Sequence, residues 1–312
     1  MTTQHIETLI IGAGQAGLST GYHLKKLDRE CLIVDGFDRI GDNWRRHYDS
    51  LKLFTPSRAN SLDGTPFPGD SWAFPTKDEF AAYLELYAVE HGLPVRMRTR
   101  VDRLTARDGG GFTANLGAEE VACDNVVIAT GTFGRTPQIP AFATEIDPQI
   151  RQVHSADYRR PAQLPDGPAL VVGASHSGLD IAYELAETRP TTLVGPHRGN
   201  IPLTWGSRRF RAAFPAIEFA FNHVLTRRTP MGRKKMQQVR HHGLPQLRVK
   251  RHHLGARDVE WITEHVVGVA EGLPCLEGGR AFDVASIVWA TGFRQVYDWI
   301  DLRLPIEDGW PV

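Results

Sequence analysis

The sequence predicts an α/β protein with two β-α-β domains, each a three-layer build around a parallel central sheet. Three observations carry this expectation. Residues 6–11 (IETLII) form a β-rich run that meets a glycine turn; a helical stretch with Leu18, Tyr22 and Leu24 on a repeating face follows, and Cys31–Val34 is again a strand. The same order returns with the strand Ala169–Val172 (ALVV), a glycine turn over 173–178, a helix over 179–186 and a strand at Thr191–Val194. Two later strands, 125–128 and Ser286–Trp289, each run into Ala-Thr-Gly, ending at Thr130-Gly131 and Thr291-Gly292. Strands alternating with helices give parallel sheets, and a duplicated unit of this kind with glycine turns marks paired Rossmann-like dinucleotide-binding domains.

The first turn reads Gly12-Ala13-Gly14-Gln15-Ala16-Gly17 and stands between a strand and a helix, the context that the motif requires. Gly12 permits the tight turn, Gly14 lets backbone approach a pyrophosphate, and Gly17 lets the helix pack on the strand. The helix start then offers N–H groups and a positive dipole end to phosphate. Asp35 closes the next strand. A carboxylate there accepts hydrogen bonds from ribose hydroxyls and repels a 2′-phosphate, which suits FAD or NAD and disfavours NADP.

The second turn, Gly173-Ala174-Ser175-His176-Ser177-Gly178, has serine in the middle place. Its following strand ends without an acid and runs into Gly195-Pro196-His197-Arg198. A cation at that place pairs with a 2′-phosphate through charge-assisted hydrogen bonds, so NADPH is expected there in preference to NADH. The alternative is that Arg198 is a solvated surface arginine.

Between the repeats lie a Pro- and Gly-rich loop over 55–75, a helix over 77–91 and a strand region over 95–104. Residues 207–257 are rich in Arg and Lys, with Glu218 their only acid before Asp258 is reached. A solvated helical excursion is expected for them; the other reading is local attraction for a phosphorylated cofactor or an acidic lipid surface. Net charge over 312 residues is zero, and no aromatic interleaving marks a nucleic-acid platform. Cys31, Cys123 and Cys275 are isolated, which excludes a CxxC dithiol, a zinc site and a disulfide scaffold. No apolar run reaches the ~20 residues of a membrane span, and no signal peptide opens the chain. The expectation is a soluble, cytoplasmic protein; no partner macromolecule is indicated, and a homodimer is compatible with the sequence.

These residues resemble the flavin-containing monooxygenase family, especially its bacterial and plant branches. The likeness runs through the first turn, Gly41-Asp42-Asn43-Trp44 and on through Leu53-Phe54-Thr55-Pro56, both Ala-Thr-Gly strands and the second turn. The Gly-x-x-Trp segment is the most specific part. The resemblance implies an NADP domain inserted in an FAD domain: FAD domain over 1–160, NADP domain over 161–280 with the basic excursion, and a return to the FAD domain over 281–312. It implies that Gly41, Asn43, Trp44, Leu53 and Thr55 seat the flavin, that Val101 contacts the adenine end, and that Thr130-Gly131 and Thr291-Gly292 lie near the crossings. It also implies that NADPH reduces FAD, that O₂ then forms a C4a-(hydro)peroxide, and that a small organic substrate takes the oxygen.

The sequence departs from that family's pattern in three places. His154 and Tyr158 keep the spacing of the linker fingerprint, but Pro148 and Ile150 replace its Phe and Gly. The Tyr ending favours oxygenation at N or S over Baeyer–Villiger insertion. Pro56 stands where animal enzymes carry Asn, leaving Asn60 as a nearby candidate beside His154 for a catalytic role. Related proteins continue past the position of Val312 through a strand and a helix, so the FAD half is expected to be shortened. Two rivals remain at this stage, an NAD(P)H oxidase or flavin reductase releasing H₂O₂ and a non-catalytic dinucleotide-binding protein.

Overall fold

The computed structural model describes residues 4–131, 136–242, 246–307 and 310–311, which form two compact units. The first comprises 1–47, 55–137 and 293–312, and the second 48–54 and 138–292.

In the first unit, β1 (Gln4–Ile11) is the hub. Leu9 and Ile10 are fully buried, the continuous apolar pattern of a strand covered on both faces. It pairs in parallel with β2 (Cys31–Val34) and, on its other side, with the long strand that ends at Ile128. Helix α1 (Gln15–Lys26) follows β1 and buries Gly17, Leu18 and Gly21. A single turn, α2 (Asp42–Arg45), precedes α3 (Lys77–Glu90). Helix α3 opens on a capping box: the Thr76 N–H donates to Glu79 Oε2 at 2.7 Å, and the Glu79 N–H donates to Thr76 Oγ1 at 3.2 Å.

The expected strand region 95–104 is two separate short strands, β3 (Val95–Arg96) and β4 (Arg103–Ala106). Arg98 between them sits at φ 54°, a left-handed backbone that no strand continues through. Strand β6 (Glu119–Ile128) with β1, β2 and β3 makes the centre of the first sheet, parallel as expected, and β5 (Phe112–Leu116) runs antiparallel between β4 and β6. Strand β7 (Thr136–Pro137) closes this part of the unit.

The second unit has β8 (Arg151–His154), β9 (Ala169–Val172), α4 (His176–Leu185) and β10 (Thr191–Val194). Three helices follow, α5 (Arg208–Phe219), α6 (Pro230–His242) and α7 (Arg251–Gly255). Strand β11 (Glu260–Ile262), the hairpin β12 (Val266–Ala270) and β13 (Leu273–Leu276), and β14 (Ser286–Trp289) complete it. The sheet order is β11-β10-β9-β14-β8, with every pair parallel. The basic excursion is helical as expected, and Arg208, Arg209, Arg228, Arg233 and Lys234 are exposed; 243–245 lie outside the described residues.

The chain then returns to the first unit. Strand β15 (Phe293–Arg294) pairs with β7, and β16 (Ile300–Asp301) pairs in parallel with β4 to give the order β16-β4-β5-β6-β1-β2-β3. The expected domain limits at 160 and 280 are therefore corrected. Strands β8 and β14 pair with each other inside the second sheet, which moves the crossings to 137/138 and 292/293. Both crossings fall close to the two Ala-Thr-Gly strand ends. Among the described residues no helix is long and apolar enough to cross a membrane.

Candidate dinucleotide sites

The first site is built where β1 hands over to α1. Gly12 lies at φ 116°, and a Cβ on it would fall 2.4 Å from the Ala129 carbonyl oxygen. The Gly12 N–H donates to the Val34 carbonyl and the Ala129 N–H to the Ile11 carbonyl, both at 2.8 Å, so three strands hold the turn. A Cβ on Gly17 would lie 1.8 Å from the Gly12 carbonyl oxygen, which only glycine avoids. Gly14 is different. Its backbone is extended (φ −81°), and a Cβ there would meet nothing within 4 Å. Space beside the helix start is thus open, and no side chain caps α1. Gln15 and Ala16 supply the first N–H groups of that helix.

Asp35 behaves differently from the simple ribose acceptor expected. Its Oδ2 accepts the Ala13 N–H at 2.7 Å and its Oδ1 the Phe37 N–H at 2.9 Å. The carboxylate fastens the turn first; each oxygen retains a lone pair for a ligand hydroxyl. Val101 is buried in one cluster with Val34, beside this strand end.

The Gly-x-x-Trp turn is pinned onto α3. Gly41 (φ 82°) comes so close that a Cβ would lie 2.7 Å from the Ala81 carbonyl oxygen. Arg45 donates to Glu85 at 2.7 Å and to the Ile40 carbonyl at 2.7 Å, and the buried Lys77 ammonium donates to the Arg45 carbonyl at 3.1 Å. Trp44 stacks edge-on to Phe80 at 4.8 Å, and its indole Nε1 is buried with no hydrogen-bond partner. Such an orphan N–H costs about 1–3 kcal/mol, and a ligand acceptor would satisfy it. The open face at Gly14 and this unsatisfied donor fit a bound dinucleotide. Asn43 is exposed on the same turn.

Asn60 spends its amide on its own loop: Oδ1 accepts the Thr55 hydroxyl at 2.6 Å, and Nδ2 donates to the Thr55 and Pro56 carbonyls at 2.9 and 3.1 Å. Its side chain shapes the turn around Thr55. Leu53 is buried in the second unit, in the segment 48–54.

The second site repeats the first. Gly173 lies at φ 111° with a hypothetical Cβ 2.3 Å from the Ala290 carbonyl oxygen, and a Cβ on Gly178 would lie 1.8 Å from the Gly173 carbonyl oxygen. The Gly173 N–H bonds the Val194 carbonyl and the Ala290 N–H the Val172 carbonyl, each at 2.7 Å. Ser175 takes the extended backbone of Gly14 (φ −92°), which is why a residue with a side chain is accommodated there. His176 and Ser177 begin α4, and no side chain caps it.

The two sites differ where β2 and β10 end. Gly195 occupies the place of Asp35 at φ 147°, and a Cβ would lie 2.8 Å from the Ala174 nitrogen, so no acid fits. The Gly195 carbonyl accepts from Trp261 Nε1 at 2.9 Å. The His197 ring lies 5.3 Å from the Trp261 ring, the Arg251 guanidinium 5.9 Å from it, and Arg198 is partly exposed in the same loop. Arg251 and Trp261 were missed in the sequence because they stand in and beside a segment that reads as a solvated basic face.

At the second Ala-Thr-Gly end, Gly131's counterpart Gly292 (φ 84°) has its carbonyl taken by His154 Nε2 and the Gln138 N–H, each at 3.0 Å; a Cβ on either glycine would meet nothing within 4 Å. His154 Nδ1 accepts the Ala156 N–H at 3.1 Å, which fixes the proton on Nε2. Burial lowers its pKa, with the Gly292 bond opposing. Burial thus favours the neutral form of the ring. The Thr291 hydroxyl donates to the Gln138 carbonyl. Tyr158 is fully buried and donates to Glu184 at 2.8 Å. Cys31 and Cys123 are buried on β2 and β6, with β1 between them, and burial pushes the Cys123 thiol up to about 11.

A family model described as pyridine nucleotide-disulphide oxidoreductase matches residues 9–202. The CzcO-like oxidoreductase of Geobacillus kaustophilus is 36% identical over 309 residues, covering 96% of this chain and 84% of that protein. Indole-3-pyruvate monooxygenase YUCCA1 of Oryza sativa subsp. japonica is 29% identical over 60% of this chain and 47% of its own length. Among solved structures, a flavin-containing monooxygenase from Stenotrophomonas maltophilia superposes with a TM-score of 0.77 at 23% identity, covering 99% of this chain and 85% of that one. OTEMO in complex with FAD and NADP superposes with a TM-score of 0.67 at 16% identity, over 99% and 76% of the two chains.

Proposed function

Because the chain belongs to the pyridine nucleotide-disulphide oxidoreductase family and has the fold of the flavin-containing monooxygenases, we propose that it is an FAD-dependent, NADPH-consuming monooxygenase acting with O₂ on a small organic substrate at N or S. The observation that carries the reading is the pair of glycine turns, alike in every backbone contact but unlike at Asp35 and Gly195. An acid at one turn and a cationic loop at the other suit two different dinucleotides.

In this reading the first turn holds FAD. Gly12, Gly14 and Gly17 bring the start of α1 to the pyrophosphate, Asp35 receives ribose hydroxyls, and Gly41, Asn43, Trp44, Thr55 and Val101 seat the remainder. Thr130 and Gly131 line the crossing beside it. Bound FAD supplies two-electron acceptance from a dihydronicotinamide and activation of O₂. The second turn holds NADPH through Gly173, Ser175, His176, Ser177 and Gly178. Arg198 meets the 2′-phosphate, with Arg251 added to the set that the sequence suggested, and Thr291-Gly292 line the second crossing. Disulfide exchange is not proposed: Cys31 and Cys123 are buried, and burial raises both thiol pKa values. Preference for N or S rests on the His154-x-x-x-Tyr158 ending of the family resemblance.

The test is a visible spectrum of purified protein with FAD, then with NADPH in the absence of air, then with air and a small thioether or tertiary amine. Flavin bands that bleach with NADPH, followed by an oxygenated product, support the reading. Hydrogen peroxide in place of product selects an oxidase, and absence of flavin binding removes the reading altogether.

A further inference from the structure

Helix α4 carries two acids one turn apart that the sequence shows only as polar positions in an apolar helix. Each meets a tyrosine hydroxyl, Asp180 from Tyr48 at 3.0 Å and Glu184 from Tyr158 at 2.8 Å. The two pairs differ in what they hold. Tyr158 follows β8, whereas Tyr48 begins the segment 48–54 that continues the Gly-x-x-Trp turn and packs in the second unit as a strap.

The Asp180 side of the strap forms a circuit. Arg248 Nε lies 3.3 Å from Asp180 Oδ1, and Arg248 Nη1 donates to the Ser50 carbonyl at 3.3 Å. Its guanidinium stands 5.9 Å from the Trp205 ring, and Trp205 Nε1 donates to the Phe54 carbonyl at 3.2 Å. The Phe54 ring then meets the His176 ring edge-on, with centroids 5.6 Å apart. His176 is the first residue of α4, four positions before Asp180 on the same face. The contacts therefore leave α4 at Asp180 and come back to it at the glycine turn.

A buried ion pair is a poor source of stability, since desolvation offsets most of the attraction. Apolar residues in place of both Asp180 and Arg248 would cost less. What the pair does provide is a fixed register for the strap.

We infer that Asp180 is a positioning residue for the second glycine turn: through Arg248 and the strap it fixes the Phe54–His176 contact beside the open start of α4. This rests on the reading of that turn as a nicotinamide dinucleotide site. Side chains that orient a binding group without touching the ligand act on affinity, and here the affinity is that for NADP⁺.

Calorimetric titration of the FAD-loaded protein with NADP⁺ tests the inference. Asp180→Asn is expected to raise the Kd about tenfold, the loss of one buried charge-assisted bond, with flavin content and spectrum as in wild type. Tyr48→Phe moves the Kd in the same direction by a smaller factor. Glu187→Gln weakens the ion pair with Arg257 just past the end of α4 (2.7 Å), away from the strap, and leaves the Kd unchanged, which a merely structural role would not distinguish. Should Asp180→Asn fail to fold, the double variant Asp180→Leu/Arg248→Met replaces the pair by apolar groups, restores the fold and carries the same rise. A wild-type Kd in Asp180→Asn and Tyr48→Phe, or equal shifts in Tyr48→Phe and Glu187→Gln, overturns the inference. No NADP⁺ binding by the wild type overturns the site reading instead.

Discussion

The carboxylate of Asp35 accepts the backbone N–H of Ala13 at 2.7 Å, so the acid at the end of β2 is a clasp on the glycine turn before it is anything else. Asp35→Ala leaves that N–H without its acceptor, at a cost of about 1–3 kcal/mol. It is expected to lower the melting temperature and to raise the Kd for FAD at least about tenfold. Ultrafiltration of FAD-loaded protein measures the second effect. Wild-type flavin retention would show that the clasp is dispensable.

Gly17 and Gly178 separate the two sites. Alanine at either puts a Cβ 1.8 Å from a backbone carbonyl oxygen, a clash that neither helix can relieve by moving a side chain. Overpacking of this kind costs about 3 kcal/mol. Gly17→Ala should abolish flavin binding, and Gly178→Ala should abolish NADP⁺ binding while the protein stays yellow.

Gly14→Ala is the contrasting case. Its extended backbone and open surroundings accept a methyl group, so the melting temperature should hold or rise slightly as the unfolded chain loses freedom. The methyl group does fill the space offered to a pyrophosphate, and the Kd for FAD should rise. Thermal denaturation with and without FAD reports both effects.

Nucleotide choice is expected to lie with the loop after β10. Arg198→Ala and Arg251→Ala should each reduce kcat/KM for NADPH about tenfold, the loss of one charge-assisted hydrogen bond to phosphate, and leave that for NADH unchanged. A wild-type preference for NADH, unaffected by Arg198→Ala, would reject the assignment.

His154 gives a pH signature. Burial depresses its pKa below the ordinary 6.5, so the native state keeps it neutral while the unfolded chain takes up a proton near that value. Its contribution to stability is therefore complete above pH 6.5 and is lost as the pH falls through 6.5 toward the lower native pKa. His154→Asn should flatten the fall in melting temperature between about pH 7 and about pH 5. Parallel curves for the two proteins would contradict this.

Much of the scaffold was legible because its signals are local. Strands β2 and β9 are continuous apolar runs, β10 and β14 are short β-rich runs ending in apolar residues, and the ends of all four match the sequence expectation. The glycine turns were legible for the same reason. The break at Arg98 was not, since a left-handed arginine carries no compositional mark. Nor was the Tyr48–Asp180 bond, whose partners stand 132 residues apart. Nor does the sequence mark that the motif around Leu53, continuous in the chain, is divided between two units. Asn60 read as a candidate for its chemistry alone, and only the folded loop shows that its amide is already used.

The strap 48–54 has a consequence for anyone who would recombine such genes. The second unit is assembled from two separate stretches, and a fragment encoding 138–292 alone omits Tyr48 and Leu51, which pack in its core. Such a fragment would carry Asp180 and Arg248 without the tyrosine hydroxyl and the Ser50 carbonyl that complete their bonding. Exchanging this unit with that of a relative to alter nucleotide preference therefore requires two splices in the gene. A single-cassette chimaera would inherit a foreign strap under its own helix α4.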